Sequence, residues 1–444
     1  MLNTKTIEPY LSAFESYRKN GGGDGPRWLK QLRESAIASF AKLGFPTTRN
    51  EDWKYTSIEP IASTNFARGQ EADQKVAPNA IAELSFTPAS STRLVFIDGF
   101  CSPELSALDS LPRGVRVESL ADALKRDDEV LRSQFSRYAR HQQQSFVALN
   151  TAFVEDGALV IFPKGQVMEE AIYLIFVSTA GVHPVVSYPR NLIFADEESQ
   201  ARIVQCHVGM ADGVYFSNAV TEVVAGEGAA IDYYILQREG KGGYHIGTLE
   251  AQLSRQSTLD AHSITLAGSL VRNDVRLVLN GEGSECSLNG LYVLDARQHV
   301  DNHTEIEHCM PRARSRELYK GILGGHARGV FNGKILVHKD AQKSDARQTN
   351  KNLLLSANAL VNTKPQLEIH ADDVKCSHGS TVGQLDRDAL FYLRARGIGL
   401  RDAQSLLSYA FASEVISKVK IAPMRARLDD YLLNKFEGAP TEIK

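Results

Sequence analysis

The 444-residue sequence predicts a mainly β chain whose central part winds as a β-solenoid between helical ends. Two observations carry this reading. From about Phe146, short runs rich in Val, Ile and Tyr alternate with turns holding Gly, Asp and Asn, and no long amphipathic helices separate them. Within that region a weak repeat runs through "ARIVQCHV" from Ala201, "AAIDYYIL" from Ala229, "STLDAHSI" from Ser257 and "SECSLNGL" from Ser284, at a nearly constant step. Each copy follows a short polar or Gly-rich stretch: "DEESQ", "AGEG", "LSRQ" and "NGEG". A regular step of this size is that of stacked coils, and the β-rich content favours a β-helix over a sandwich.

The helical ends follow from periodicity and punctuation. "RWLKQLRESAIASFAKLGF" sets Trp28, Leu29, Leu32, Ala36, Phe40 and Leu43 near one helix face, between Pro26 and Gly44. "NGGGDGP" before it reads as a flexible loop, and the polar stretch Ala67 to Ala80 as a loop or linker. A second helical region is expected over Leu120 to His141. Near the C-terminus three helices are expected. The first is bounded by Asp386 as N-cap and Gly397 as stop. The second carries Leu406, Leu407, Ala410, Phe411 and Val415 on one side, and the third runs from Pro423 in its first turn to Gly438. A solenoid needs covered ends, so these helices make either a cap or a docking module. The tail "APTEIK" is expected to be disordered. The division is a mostly helical region over 1–145, the β core over 146–379 and a helical domain over 380–444.

Composition bounds the function. With 43% hydrophobic and 23% charged residues and a net charge of −3, the chain has neither a basic nucleic-acid surface nor a polybasic membrane patch. The first twenty residues lack an apolar h-region, and no run approaches the ~18–20 apolar residues of a membrane span. Cys101, Cys206, Cys286, Cys309 and Cys376 are odd in number, widely spaced and without a CxxC pair, which fits reduced thiols in the cytoplasm.

Several chemistries are missing. "GVFNGKILV" is not a phosphate-cradling loop, since Ile335 takes the Ser/Thr position and Arg328 that of the first glycine. Any nucleotide hydrolysis belongs to another chain. No GxSxG elbow is present. A β-helix could be a carbohydrate lyase or hydrolase, but Trp28 and Trp53, the two tryptophans, lie outside the solenoid.

Two stretches hold ligand-type residues. In "QHVDNHTEIEHC", strand alternation sets His299, Asp301, His303, Glu305 and Glu307 on one face, with Val300, Asn302, Thr304, Ile306 and His308 on the other. This is either a metal or acid–base site or a polar ladder hydrogen-bonded between coils, and the ladder is the favoured reading. In "DDVKCSHG", alternation puts Val374, Cys376 and His378 on one face. The thiol and imidazole are candidate ligands for one metal ion or cluster, yet two ligands do not close a site. They also fit a nucleophile and its base, or ordinary packing.

The block from "GVFNGKILVHKDAQKSDARQTNK" at Gly329 through "DDVKCSHGSTVGQLD" to Ile398 strongly resembles the SufB/SufD scaffold family of the SUF iron–sulfur cluster assembly system, on its SufD side. "RNEDWKYT", Arg49 to Thr56, and "LNTAFVEDGALVIFPKG", Leu149 to Gly165, resemble earlier motifs of that family. The related SufB subunit is the nearest alternative. The resemblance implies a right-handed parallel β-helix and no catalysis by the isolated subunit. It implies pairing with a SufB-like subunit, or a homodimer in isolation, and docking of the ATPase SufC on the C-terminal helices, so that ATP enters only through that partner. It implicates His378, with Cys376 as neighbour, in a transient iron–sulfur cluster site completed by the partner, with no cofactor bound stably by this chain alone. No residue is assigned as catalytic.

Overall fold

The computed structural model describes residues 4–19, 25–69, 76–179, 181 and 183–438. Helices α1 (Thr4–Lys19) and α2 (Arg27–Leu43), a 3-10 turn at Glu51–Trp53 and helix α3 (Glu59–Ala62) come first. Strand β1 (Ala67–Arg68), helix α4 (Pro78–Ser85), strands β2 (Arg93–Ile97), β3 (Phe100–Cys101) and β4 (Arg116–Ser119), and helices α5 (Leu120–Lys125), α6 (Glu129–Gln134) and α7 (Ser145–Ala152) follow. The solenoid comprises β5 (Ala158–Phe162), β6 (Ile172–Ser178), β7 (Val185–Ser187), β8 (Arg190–Ala195), β9 (Gln200–Gly209), β10 (Tyr215–Ala225), β11 (Ala230–Arg238), β12 (Gly243–Leu253), β13 (Thr258–Ala267), β14 (Leu270–Leu279), β15 (Glu285–Leu294), β16 (His299–His308), β17 (Arg314–Leu323), β18 (Arg328–Val337), β19 (Asp345–Leu354), β20 (Leu360–Ile369) and β21 (Lys375–Gly383). Helices α8 (Arg387–Ala395), α9 (Leu400–Ile416) and α10 (Ala422–Gly438) close the described chain.

From β8 onward the chain alternates between two sheets. One sheet runs β20-β18-β16-β14-β12-β10-β8-β5-β4 and the other β21-β19-β17-β15-β13-β11-β9-β6-β2-β3. Pairing between successive coils is parallel throughout. This is a parallel β-solenoid with helical regions at both ends of the chain. The expected repeat is present but shifted at its first copy. Ala201 lies opposite Ile231, not Ala229, so that coil is longer than the repeat implies, whereas Ala229, Ser257 and Ser284 keep register.

The physical basis of the repeat is a turn. Glu198, Gly228, Gln256, Gly283, Arg312 and Lys343 stack in successive coils, and all have positive φ, from 55° to 69°. Each precedes a small buried residue: Ser199, Ala229, Ser257, Ser284, Ala313 and Ser344. Only at Gly228 and Gly283 does the residue type suit the left-handed turn without strain. The other four obscure the period in the sequence.

The space between the sheets is filled by one apolar cluster that includes Phe96, Phe162, Ile193, Ile203, Leu259 and Leu294. The outer faces are covered by helices. Residues of α1, α2 and α7, among them Phe14, Phe40 and Phe146, pack with Phe216 and Ile246 of one sheet. Met424, Leu428, Leu432 and Phe436, spaced by four along α10, are almost wholly buried and pack in one cluster with Leu236, Ile264, Leu291 and Val293 of the other. Each such side chain contributes roughly 1.5–3 kcal/mol of burial.

Helix α2 lies where expected, ended by Gly44 at φ 64°. Its buried face is Leu29, Arg33, Ala36 and Phe40, and Leu43 is exposed. The helix expected over Leu120 to His141 is broken. Asp127 adopts φ 53°, and Asp128 starts a new helix by accepting hydrogen bonds from the Val130 and Leu131 amides. The stretch expected as a linker from Ala67 includes β1, which pairs with β7, and the start of α4 at Pro78; residues 70–75 lie outside the described residues. So do most of "NGGGDGP" and all of "APTEIK".

Of the face expected for helix α9, Val415 is buried and Leu407 and Phe411 pack half-buried on the sheet cluster, whereas Ala410 is exposed and Leu406 is 44% exposed; Ala403, Ser408 and Ala412 complete the buried side. The small residues let the helix approach the sheet closely enough for Lys320 Nζ to donate to the Phe411 carbonyl at 2.7 Å. No described helix is long and apolar enough to cross a membrane. The C-terminal helices do not serve as a cap, because α9 and α10 lie along a sheet face and leave the last coil uncovered.

Candidate functional site

Strand β21 carries "KCSHGSTVG" at the free edge of its sheet, and β20 is the free edge of the other. β21 is largely exposed and β20 mostly half-buried, with Leu360, Ile369 and Val382 exposed at 47, 40 and 46%. In a parallel ladder, alternate residues direct both N–H and C=O to the same neighbour. The Lys375 amide donates to Ser344 O, so Lys375, Ser377, Gly379 and Thr381 bond inward to β19. Cys376, His378, Ser380 and Val382 therefore present their backbone groups outward. On β20 the Leu360 amide donates to Ala327 O, which places Pro365 among the outward positions, where its missing N–H costs no ladder bond.

Side chains follow the same alternation. Cys376 is half-buried and packs on the interior cluster beside Val374. Ser380 and Thr363 hydroxyls meet at 2.8 Å, joining β21 to β20 across the interior. His378 lies between Cys376 and Ser380 on that face and is exposed, because no further coil covers it. The expected sharing of a face by Val374, Cys376 and His378 is thus present. Burial pushes the Cys376 thiol above its ordinary value, while the Ala346 amide opposes this. A raised thiol is a poor nucleophile, which disfavours the dyad reading.

Beneath His378 the interior changes character. Register stacks Leu288, Glu317, Gln348 and His378 in successive coils. Gln348 Nε2 donates to Glu317 Oε2 at 2.7 Å, the Thr304 hydroxyl also hydrogen-bonds the Glu317 carboxyl, and Gln348 Oε1 has no partner among the described residues. Burial raises the Glu317 carboxyl to about 7. Sequence reasoning missed this polar column. Its signal is a polar residue at the matching position of each of the two preceding coils, legible only once the coil length is fixed.

The strand His299–His308 is a polar ladder rather than one convergent site. His299 Nε2 lies 2.9 Å from Thr56 Oγ1, and Asp301 accepts from Thr56 Oγ1 at 2.6 Å and Arg272 at 2.7 Å. Arg272, charged and buried, also stacks on Trp53 with 3.7 Å to the ring centroid, which fastens "RNEDWKYT" to the sheet. The Arg272 guanidinium holds the Asp301 carboxyl well below the usual range despite burial. His303 lies 3.0 Å from Asp301 and 3.3 Å from Asn332. His308 faces inward, meets Ser315 at 2.9 Å, and is held neutral by burial at about 4.

Two further features stand apart from β21. A cleft of about 550 Å³ separates the Leu43–Trp53 segment from the sheet, lined by ionisable residues including Glu250, Arg276, His303 and Lys334, and it reaches Lys364 and Gln366 of β20. His207, Glu239 and His245 form a fully buried group, in which Glu239 accepts from Tyr215 at 2.7 Å and pairs with His245 at 2.9 Å. Burial and His245 keep His207 neutral.

Comparison with known proteins bears on both halves of the chain. Residues 176–411 match the SUF system FeS cluster assembly SufBD core domain, and residues 4–174 match the SufBD protein N-terminal region. An iron–sulfur cluster assembly SufBD family protein of Synechocystis sp. is 32% identical over 409 residues, covering 90% of this chain and 89% of the relative. The iron–sulfur cluster assembly protein SufD of Escherichia coli is 32% identical over 386 residues, covering 86% and 88%. That of Bacillus subtilis is 23% identical over 432 residues, covering 95% and 96%.

Proposed function

Because the chain belongs to the SufBD family of iron–sulfur cluster assembly proteins, we propose that it is a non-catalytic scaffold subunit whose open solenoid end pairs with a SufB-like partner. The observation that carries the reading is the bare last coil. Two adjacent strand edges, with Leu360, Ile369 and Val382 exposed, form a template for strand addition. His378 sits at that edge with its side chain uncovered and Cys376 two residues away. A partner strand would bury His378 and supply the ligands this chain lacks, so that the nascent cluster, as cargo, is held between two subunits.

The SufC ATPase would dock on α8 and the exposed side of α9. Phe391 is 74% and Tyr392 57% exposed on α8, which has no buried residue, and Leu400 and Leu406 are 48 and 44% exposed. Patches of this kind mark interaction surfaces. β21 fixes His378 by its ladder to β19, its imidazole would supply a nitrogen ligand to the cluster, and closure by the partner would exclude water. Strain passed from the ATPase through α9, which is bonded to Lys320 of β17 and Lys351 of β19, would reach the strand that pairs with β21.

The test is co-expression with a SufB-like subunit and SufC, followed by anaerobic assay of iron and sulfide in the purified complex. His378→Ala should lower cluster content at least ~tenfold while the complex still assembles. Cluster content unchanged in an intact complex contradicts the role of His378, and failure of the chain to associate with either partner contradicts the scaffold reading.

A further inference from the structure

We propose that Glu307, Cys309 and His338 form a site for a divalent transition-metal ion, distinct from the pair on β21. The three come from neighbouring coils. Glu307 lies in β16, Cys309 directly follows that strand, and His338 directly follows β18. His308 stands opposite Val337, so Cys309 is level with His338, and the His338 amide donates to His308 O at 3.0 Å. Adjacent strands lie ~4.8 Å apart, a span that one ion bridges with two ligands. One ligand atom from each residue lies within 4.8 Å of the other two, and all three side chains are half-buried. An ion can therefore enter from solvent and meet ligands on a fixed ladder.

The existing hydrogen bonds converge as coordination bonds would. His338 Nε2 lies 2.7 Å from Glu307 Oε1, and the Cys309 thiol is hydrogen-bonded to the same carboxylate. A cation replaces the hydrogens in these contacts. Cys309 gives its thiol proton to solvent and binds as thiolate, His338 binds as neutral imidazole, and Glu307 supplies an oxygen. The charge balance suits a cation, because the two cations Arg276 and Lys334 are shared among Glu250, Glu305, Glu307 and Glu368. A sulfur, nitrogen and oxygen set selects zinc, ferrous or cobaltous ions over magnesium or calcium. Three protein ligands leave a position open, which makes the ion exchangeable. The next rung of the column is His370, whose amide donates to Val337 O at 2.9 Å, so ligand-type residues continue toward the edge strand β20.

The inference does not depend on the scaffold reading, and it is tested on the full chain with Co²⁺ alone under anaerobic, chelator-free conditions. A thiolate-to-cobalt charge-transfer band should grow to saturation at about one ion per chain. Cys309→Ser should abolish the band, His338→Gln should weaken binding at least ~tenfold, and Cys101→Ser, at a half-buried thiol outside both groups, should leave both unchanged. No band in the native chain, a band that survives Cys309→Ser, or one lost with Cys101→Ser overturns the site. If Cys309→Ser melts early, His338→Gln decides alone, and unchanged affinity there overturns it.

Discussion

At the N-terminal end of the solenoid, β2 and β5 are each paired with a short antiparallel strand, β3 and β4, that ends the ladder, and Phe96 stacks on Phe176 inside with centroids 4.8 Å apart. At the C-terminal end, β20 and β21 have no outer neighbour among the described residues, and the interior beneath them holds Glu317, Gln348, Asn350 and Asn352. The coil geometry is shared, but one end is finished within the chain and the other is not. Polar side chains are buried along the whole solenoid, Asn191 and Gln205 near the closed end among them, so the ends differ in their strand edges and not in interior polarity. A closed end satisfies its edge groups within the chain, whereas an open end keeps edge groups that are satisfied when a partner arrives.

The largest expected contrast is in cavity formation. Phe96→Ala at the closed end should cost about 3–5 kcal/mol in denaturant unfolding. Val382→Ala at the open end should cost less than ~0.5 kcal/mol yet weaken partner association. Equal losses would show that the ends are not energetically different.

Next is pH. Glu317 has its folded pKa raised by burial from an ordinary value near 4.5 to about 7. Between these values the unfolded chain ionises this group and the folded chain does not. Stability is therefore fully present below about 4.5, falls as pH rises to about 7, and is level above. Glu250, also raised to about 7 by burial, acts in the same direction. Glu317→Gln keeps the acceptor for Gln348 and should raise stability at pH 8 by up to about 3 kcal/mol, with little change at pH 4. Urea unfolding at the two pH values reads this, and an unchanged slope would remove Glu317 as its source.

Smaller still is the effect expected at α8. Phe391→Ala should change stability by less than ~0.5 kcal/mol and weaken SufC binding about tenfold, or ~1.4 kcal/mol. Binding unchanged would move the docking surface elsewhere. Deleting α9 and α10 is a poorer test, because Met424, Leu428 and Leu432 belong to the core.

The sequence disclosed the solenoid because alternation and turn residues are local signals. It disclosed Gly228 and Gly283 as turns but concealed the same left-handed turn at Glu198, Gln256, Arg312 and Lys343, where stacking against neighbouring coils overrides local preference. That is why the sequence sets the first copy of the repeat out of register. "DDVKCSHG" gave the correct face for Cys376 and His378, since strand alternation needs no tertiary information. The Glu317–Gln348 column and the Glu307–Cys309–His338 group escaped, because each is assembled from separate coils, far apart along the chain. On α9 periodicity placed Val415, Leu407 and Phe411 against the sheet but not the small residues beside them, because close approach to the sheet selects Ala403, Ser408 and Ala412 over Leu406.

The central claim, that the bare edge of the last coil is the subunit interface, meets its most direct test at Ser380. This residue directs its amide outward, so proline there removes a donor from the interface without removing a bond to β19. Ser380→Ala controls for the hydroxyl bonded to Thr363. Binding of the SufB-like subunit should be lost with Ser380→Pro and kept with Ser380→Ala, while both chains melt within a few degrees of the native protein. A folded Ser380→Pro chain that binds the partner as tightly as the native one would contradict the account.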